Sequence, residues 1–167
     1  RSAIATADDV VASRRYRGRS ILLTDDAVLG LVPIGCNPVT KLWEFYDLAS
    51  AWNGVDDPAT LPIPEHRPDG SVAMGGATGI VFVLLPGGPF AMGAQAQDPD
   101  AANYDPEAPA FVGPVQQVEL DAFLMARHEI TQGQWARLCT VASAARPSGY
   151  PAGKEDYVGS TIDDRHP

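Results

Sequence analysis

Only two cysteines occur in the 167 residues, Cys36 and Cys139, and they stand far apart. Neither belongs to a metal-spaced pair and two thiols make no disulfide framework, so each reads as a small buried hydrophobe rather than a nucleophile. Basic residues are also scarce: 12 Lys and Arg against 21 Asp and Glu leave a formal net charge of −9. Nucleic acids and anionic membranes demand clustered cations to neutralise phosphates, so both partner classes are disfavoured. The one basic cluster, Arg14-Arg15-Tyr16-Arg17-Gly18-Arg19, reads as a solvated surface turn. No apolar run approaches the length of a membrane-spanning helix, and the start lacks the basic-then-apolar pattern of a secretory signal. A cytoplasmic setting is the expectation. The first residue is Arg1 and the last three are Arg165-His166-Pro167, which leads us to expect a piece of a longer protein.

What the chain has in quantity is glycine, 16 residues, and proline, 15 residues. Both punctuate the backbone, so the expectation is many turns, short strands and little long helix. A chain of this length buries roughly 70% of its unfolded surface, enough for a core. Ala3 to Ala12 reads as a short helix, with Thr6 and Asp9 at capping-box spacing. Ile21 to Ile34 is strand-like, and Leu42 to Leu48 alternates with Trp43 and Phe45 on one face. Asn53 to Gly70, with Asp56-Asp57-Pro58, Pro62, Pro64, Pro68 and Asp69-Gly70, has linker chemistry and no periodicity. The simplest division is therefore 1–70, a leader and linker region with short strands, and 71–167, a second unit.

That second unit carries the densest signal. Ile80 to Leu85 is apolar at every position, so as a strand it needs cover on both faces. So short a loop-rich unit offers few partners for it, which predicts exposed apolar surface and high dye binding. Pro86-Gly87-Gly88-Pro89 then stops the strand, and Phe90 and Met92 restart one, so 79–93 reads as a hairpin. An acidic stretch follows, then strands over Val115–Leu120 and Phe123–Ile130 with Asp121-Ala122 between them. Thr131 and Gln134 stand at capping-box spacing, with Ile130 and Trp135 at the positions of a hydrophobic staple. The cap is worth about 1 kcal/mol. Trp135, Leu138 and Cys139 then share one helical face.

The set Gly87, Gly88, Phe90, Met92, Gly93, then Gly113-Pro114, Val118, Leu120 and Phe123, and finally Glu129, Thr131, Gln134 and Trp135 resembles the opening half of the formylglycine-generating enzyme family, also called sulfatase-modifying factors. The leader, with Gly30-Leu-Val-Pro-Ile-Gly35 and Leu42-Trp-Glu-Phe45, is more loosely similar to segments preceding this domain in multidomain bacterial members, often behind a serine/threonine kinase. The resemblance implies an α+β fold: loop-rich, with short antiparallel strands and few helices, on an incomplete C-type-lectin-like scaffold. It also implies that the intact protein is a copper-dependent oxidase converting a cysteine of a client sulfatase to formylglycine through a pair of cysteines. Those cysteines lie in the later half of the family domain, and neither Cys36 nor Cys139 matches them. No catalytic, cofactor or metal residue is therefore assigned, and the partners implied are the rest of the domain, a sulfatase-like protein or peptide, and an upstream kinase. A non-catalytic binding or sensory module attached to a kinase is the alternative. A third reading, an iron enzyme carrying this scaffold, needs histidine ligand spacing upstream of Arg1. One departure stands out: members commonly have Pro-Val-His where this chain has Pro114-Val115-Gln116, and a glutamine neither titrates near neutral pH nor binds metal as imidazole does.

Other candidates read as structural. Asp98, Asp100, Asn103, Asp105 and Glu107 offer oxygen ligands in one loop, but their spacing is not that of an EF-hand, and a solvated loop is favoured over calcium. His66, His128 and His166 share no helix face or ligand spacing. Glu129 is expected to bind a backbone donor or a buried arginine. Gly87-Gly88 lacks the lysine and the following helix of a phosphate loop. Trp43 and Trp135 read as core, while Trp52 is open between core and stacking surface.

Overall fold

The structure, a computed structural model, describes residues 7–19, 21 and 30–142. Along these residues run α1 (Ala7–Ala12), β1 (Leu31–Cys36), β2 (Trp43–Asp47), β3 (Val81–Leu85), β4 (Gly88–Met92), β5 (Gln116–Leu120), β6 (Phe123–Ala126) and α2 (Gln132–Ala142). Short 3-10 turns occupy Pro58–Thr60 and Ala110–Val112. The fold is α+β and loop-rich, with its strands in a four-stranded sheet ordered β1-β2-β3-β6 and a two-stranded sheet of β4 and β5. Every strand pair is antiparallel. Thr6, the segment 22–29, and the residues after 142, including Pro147-Ser148-Gly149-Tyr150, Tyr157 and His166, lie outside the described residues.

β3 occupies the middle of the larger sheet, which is what its unbroken apolar sequence requires. Phe45 pairs with Phe82 and Tyr46 with Val81, and adjacent residues on a strand point to opposite faces. One face packs Phe45 and Leu84 with Val10 and Tyr16 from the leader. The other packs Val81 with Tyr46, Ala51 and Val72. No residue of β3 is exposed, so the expectation that this run lacks partners is corrected. The reason is the leader: Val10 of α1, Tyr16 and the β2 residues Phe45 and Tyr46 supply much of the cover. The sheet takes β1 and β2 from before residue 70 and β3 and β6 from after it. β1, the edge strand, accommodates Pro33 and a bulge between Pro33 and Gly35.

The basic cluster is a turn, as read, and its arginines are exposed, but Tyr16 within it is fully buried. Its hydroxyl donates to Leu84 O at 2.6 Å and accepts from Trp43 N at 2.8 Å, pinning the turn to both β2 and β3. Tyr46 plays a similar part on the other face, accepting from Gly79 N at 2.8 Å. Burial pushes both phenols above the ordinary tyrosine range. Since the folded state holds these protons more tightly, their contribution is complete below pH ~10 and falls away as pH rises through the folded-state values. In an alkaline titration followed by phenolate absorbance, these two of the five tyrosines are expected to ionise late and together with loss of fold. Ionisation of all five at the free-tyrosine pH with the fold intact would contradict the packing described.

The segment 79–93 is not a hairpin. β3 pairs with β2 and β6, whereas β4 pairs with β5. Leu85 pairs with Phe123 and Gly88 with Leu120, so the register carries across without slip. β3–β4 and β5–β6 are thus the two arms of one long antiparallel ribbon, interrupted at Pro86-Gly87 opposite Asp121-Ala122. Proline removes a ladder donor there, and Gly87 at φ 66° turns the ribbon rather than reversing the chain. The strand read to Ile130 also ends early, at Ala126. Arg127 N still reaches Val81 O at 2.8 Å, but beyond it Ile80 N and Gly79 N are engaged by Ser50 Oγ and Tyr46 Oη, leaving nothing to extend the ladder. His128 consequently lies past the strand and is exposed.

Candidate functional site

Three places gather the polar chemistry and the signature residues. The first is the bend of the ribbon. Gly87, Gly88, Phe90 and Phe123 come together there with Leu85, Pro86, Pro89 and Leu120 around an open apolar groove of about 340 Å³. Phe90, Leu120 and Phe123 are each more than a third exposed. The Arg19 guanidinium lies against Gly88, within 3 Å of where a side-chain carbon would stand. Further along, Met92 pairs with Gln116, whose side chain is exposed, and Gly93 (φ 99°) lies where a side chain would meet Pro114 O at 2.8 Å.

The second place is the start of α2. Gln134 N donates to Thr131 Oγ1 at 3.2 Å, and Thr131 N donates to Gln134 Oε1 at 3.0 Å. This is the reciprocal capping box that the Thr131 and Gln134 spacing encodes. Gln134, nearly buried, also donates to Thr78 O at 3.1 Å. One turn on, Arg137 donates to Ser50 O at 2.5 Å, Gly76 O at 3.1 Å and Thr78 O at 3.2 Å. The helix is thereby docked on backbone carbonyls that follow β2 and precede β3. Trp135 is half-buried, with its indole nitrogen shielded and without a hydrogen-bond partner. Glu129 is exposed, and the described residues place neither a backbone donor nor an arginine on its carboxylate. The arginine that does meet a buried carboxylate is Arg127.

That carboxylate is Glu44, the third place and one not singled out in the sequence. It sits in β2 at 2% exposure. Its Oε2 accepts from Arg127 Nη1 at 2.7 Å and lies 3.0 Å from His66 Nε2, while Oε1 accepts from Asn37 Nδ2 at 2.8 Å. Arg127 Nη2 and Asn37 Nδ2 both donate to Gly70 O, at 2.8 and 2.9 Å. Asn37 Oδ1 in turn accepts from Val39 N and Thr40 N, closing the β1–β2 turn. A buried carboxylate is tolerated only when paired and hydrogen-bonded, and here both oxygens are engaged. His66, read as structural or exposed, is structural. The signal that existed in the sequence was a glutamate set between the aromatic residues Trp43 and Phe45 of the strand Trp43–Asp47.

The acidic loop is occupied with its own backbone. Asp98 Oδ1 accepts from Asp100 N and Asp105 Oδ1 from Glu107 N, both at 3.0 Å. Asn103 donates to Ala91 O and Gly93 O at 2.7 Å, tying the loop to the end of β4. Among the described residues no group of three or more His, Cys, Asp and Glu side chains is placed to hold a metal ion. Cys36, read as buried, is instead exposed, because it ends the edge strand β1, and Cys139 is half-buried on α2. Trp43 stacks on Phe45 with ring centroids 6.5 Å apart, and Trp52 is held by donation to Asp56 O at 2.6 Å. No helix among the described residues is long and apolar enough to cross a membrane.

Residues 75–167, more than half of the chain, match the family model of the sulfatase-modifying factor enzyme 1-like domain. Neither a curated protein nor a solved structure gives a significant match.

Proposed function

Because the chain belongs to the sulfatase-modifying factor family of formylglycine-generating enzymes, we propose that the intact protein oxidises a cysteine of a sulfatase-like client to formylglycine and that the residues described here supply its scaffold. The observation that carries this reading is the family match over 75–167, a range that spans the ribbon bend, the Gly93–Pro114 approach and the Thr131–Gln134 cap. The expected scaffold is the C-type-lectin-like one of the family.

Copper, which membership implies for an active enzyme, has no donor set among the described side chains, and these residues do not fit it. What the residues do is hold the strands and α2 in place, through the Glu44 network and the Arg137 contacts. The test is to incubate the full-length protein, loaded with copper in air, with a cysteine-bearing sulfatase peptide, and to detect an aldehyde by hydrazide labelling and mass spectrometry. Aldehyde at that cysteine is the expected result. Unmodified peptide after prolonged incubation would overturn the oxidase reading, and peptide retention without modification would identify the non-catalytic binding module instead.

A further inference from the structure

We infer that Glu44 is a clasp through which strand β2 sets the position of α2, making the leader a conformational control element of the family domain. The geometry joins three segments at one carboxylate: the β1–β2 turn through Asn37, the 66–72 turn through His66, and the exit of β6 through Arg127, with Gly70 O accepting from both Asn37 and Arg127. Arg127 is the last residue tied to β3, and the chain runs from it directly through 128–131 into α2. At the other end of this stretch Arg137 returns to Ser50 O, just past the end of β2. The segment 127–137 is therefore held at both ends by the same part of the leader, by an ion pair at Glu44 and by backbone contact at Ser50.

If β2 shifts and Arg127 lets go, Glu44, only 2% exposed, becomes a buried charge without its guanidinium, which is costly. Gly70 O would lose donors at the same moment. Displacement of the leader thus reaches the start of α2 through release of Arg127. The inference holds whether the intact protein is an oxidase or a binding module.

Hydrogen exchange on the full chain tests it, comparing the wild type with Glu44→Gln and with the charge-free double variant Glu44→Gln, Arg127→Gln. Glu44→Gln is expected to raise exchange about tenfold in 66–72 and 128–136 and to leave the β4–β5 amides unchanged. The double variant, which strands no charge, is expected to fold while keeping the same local loosening. If Glu44→Gln does not fold, the double variant alone carries the comparison. Unchanged protection across 128–136, or an equal rise through β4 and β5, would show that Glu44 contributes only general stability, and the clasp would be rejected.

Discussion

A chain beginning at residue 75, where the family match starts, is expected to lack a cooperative thermal transition and to bind apolar dyes strongly. Truncation at that point removes β2, the hydrogen-bonding partner of β3 on one side, and leaves Val81, Phe82 and Val83 without Tyr46, Phe45 and Glu44 opposite them. It also strips both faces of β3. Val10, Tyr16 and Phe45 leave one cluster, and Tyr46, Ala51 and Val72 leave the other. Burial of each large apolar side chain is worth about 1.5–3 kcal/mol, so the loss exceeds the usual stability of a small domain. Arg127 would also keep its place at the end of β6 with no carboxylate to meet. A chain beginning at Leu31 is the informative comparison. It retains β1, β2 and the Glu44 network but loses Val10 and Tyr16, and it should melt cooperatively at a lower temperature than the whole chain. Calorimetry and dye fluorescence on the three lengths decide the matter. Cooperative melting with low dye binding for 75–167 alone would mean that β3 finds its cover elsewhere.

The parts of this fold legible in the sequence are those whose determinants are local. The Thr131–Gln134 box closes as its spacing requires, since capping is settled within one turn of chain. Strand β2 and the stacking of Trp43 on Phe45 follow from a period of two, and β3 follows from an unbroken apolar run. What was not legible depends on who pairs with whom. Pro86-Gly87-Gly88-Pro89 has the composition of a hairpin turn, and only the pairing of β4 with β5 reveals a bend in a longer ribbon. Tyr16 sits among arginines, so its local context says surface, although its hydroxyl joins β2 to β3. Glu44 was visible only as a charge between two aromatic residues, and its partners lie 7, 22 and 83 residues away. Glu129 stands beside an arginine in the sequence, yet the neighbouring Arg127 is bound to another carboxylate.

Substitution of Gly87 by alanine is expected to cost about 3 kcal/mol, far more than its position in a surface turn would suggest. Two independent constraints act there. The backbone is left-handed at φ 66°, where a side chain strains against its own peptide, and an added carbon would lie 2.5 Å from Asp121 C and 2.6 Å from Asp121 O. Those obstacles are backbone atoms of the opposing arm, which cannot rotate away without breaking the register that runs from β3–β6 into β4–β5. Gly88 provides the internal control. It too has a positive φ, 115°, but the group that a side chain would strike is the guanidinium of Arg19, the far end of a flexible and exposed residue. Gly88→Ala should therefore be partly relieved by Arg19→Ala, whereas Gly87→Ala should be indifferent to it, a difference that a double-mutant cycle in denaturant melts measures directly. The same melts discriminate between the two pictures of this segment. In a free hairpin turn a positive-φ glycine replaced by alanine loses little beyond local strain, and the two variants would behave alike. In a bent ribbon pressed against Asp121, only Gly87→Ala loosens β4 from β5 as well as lowering stability, and amide exchange of 116–120 should rise in that variant alone.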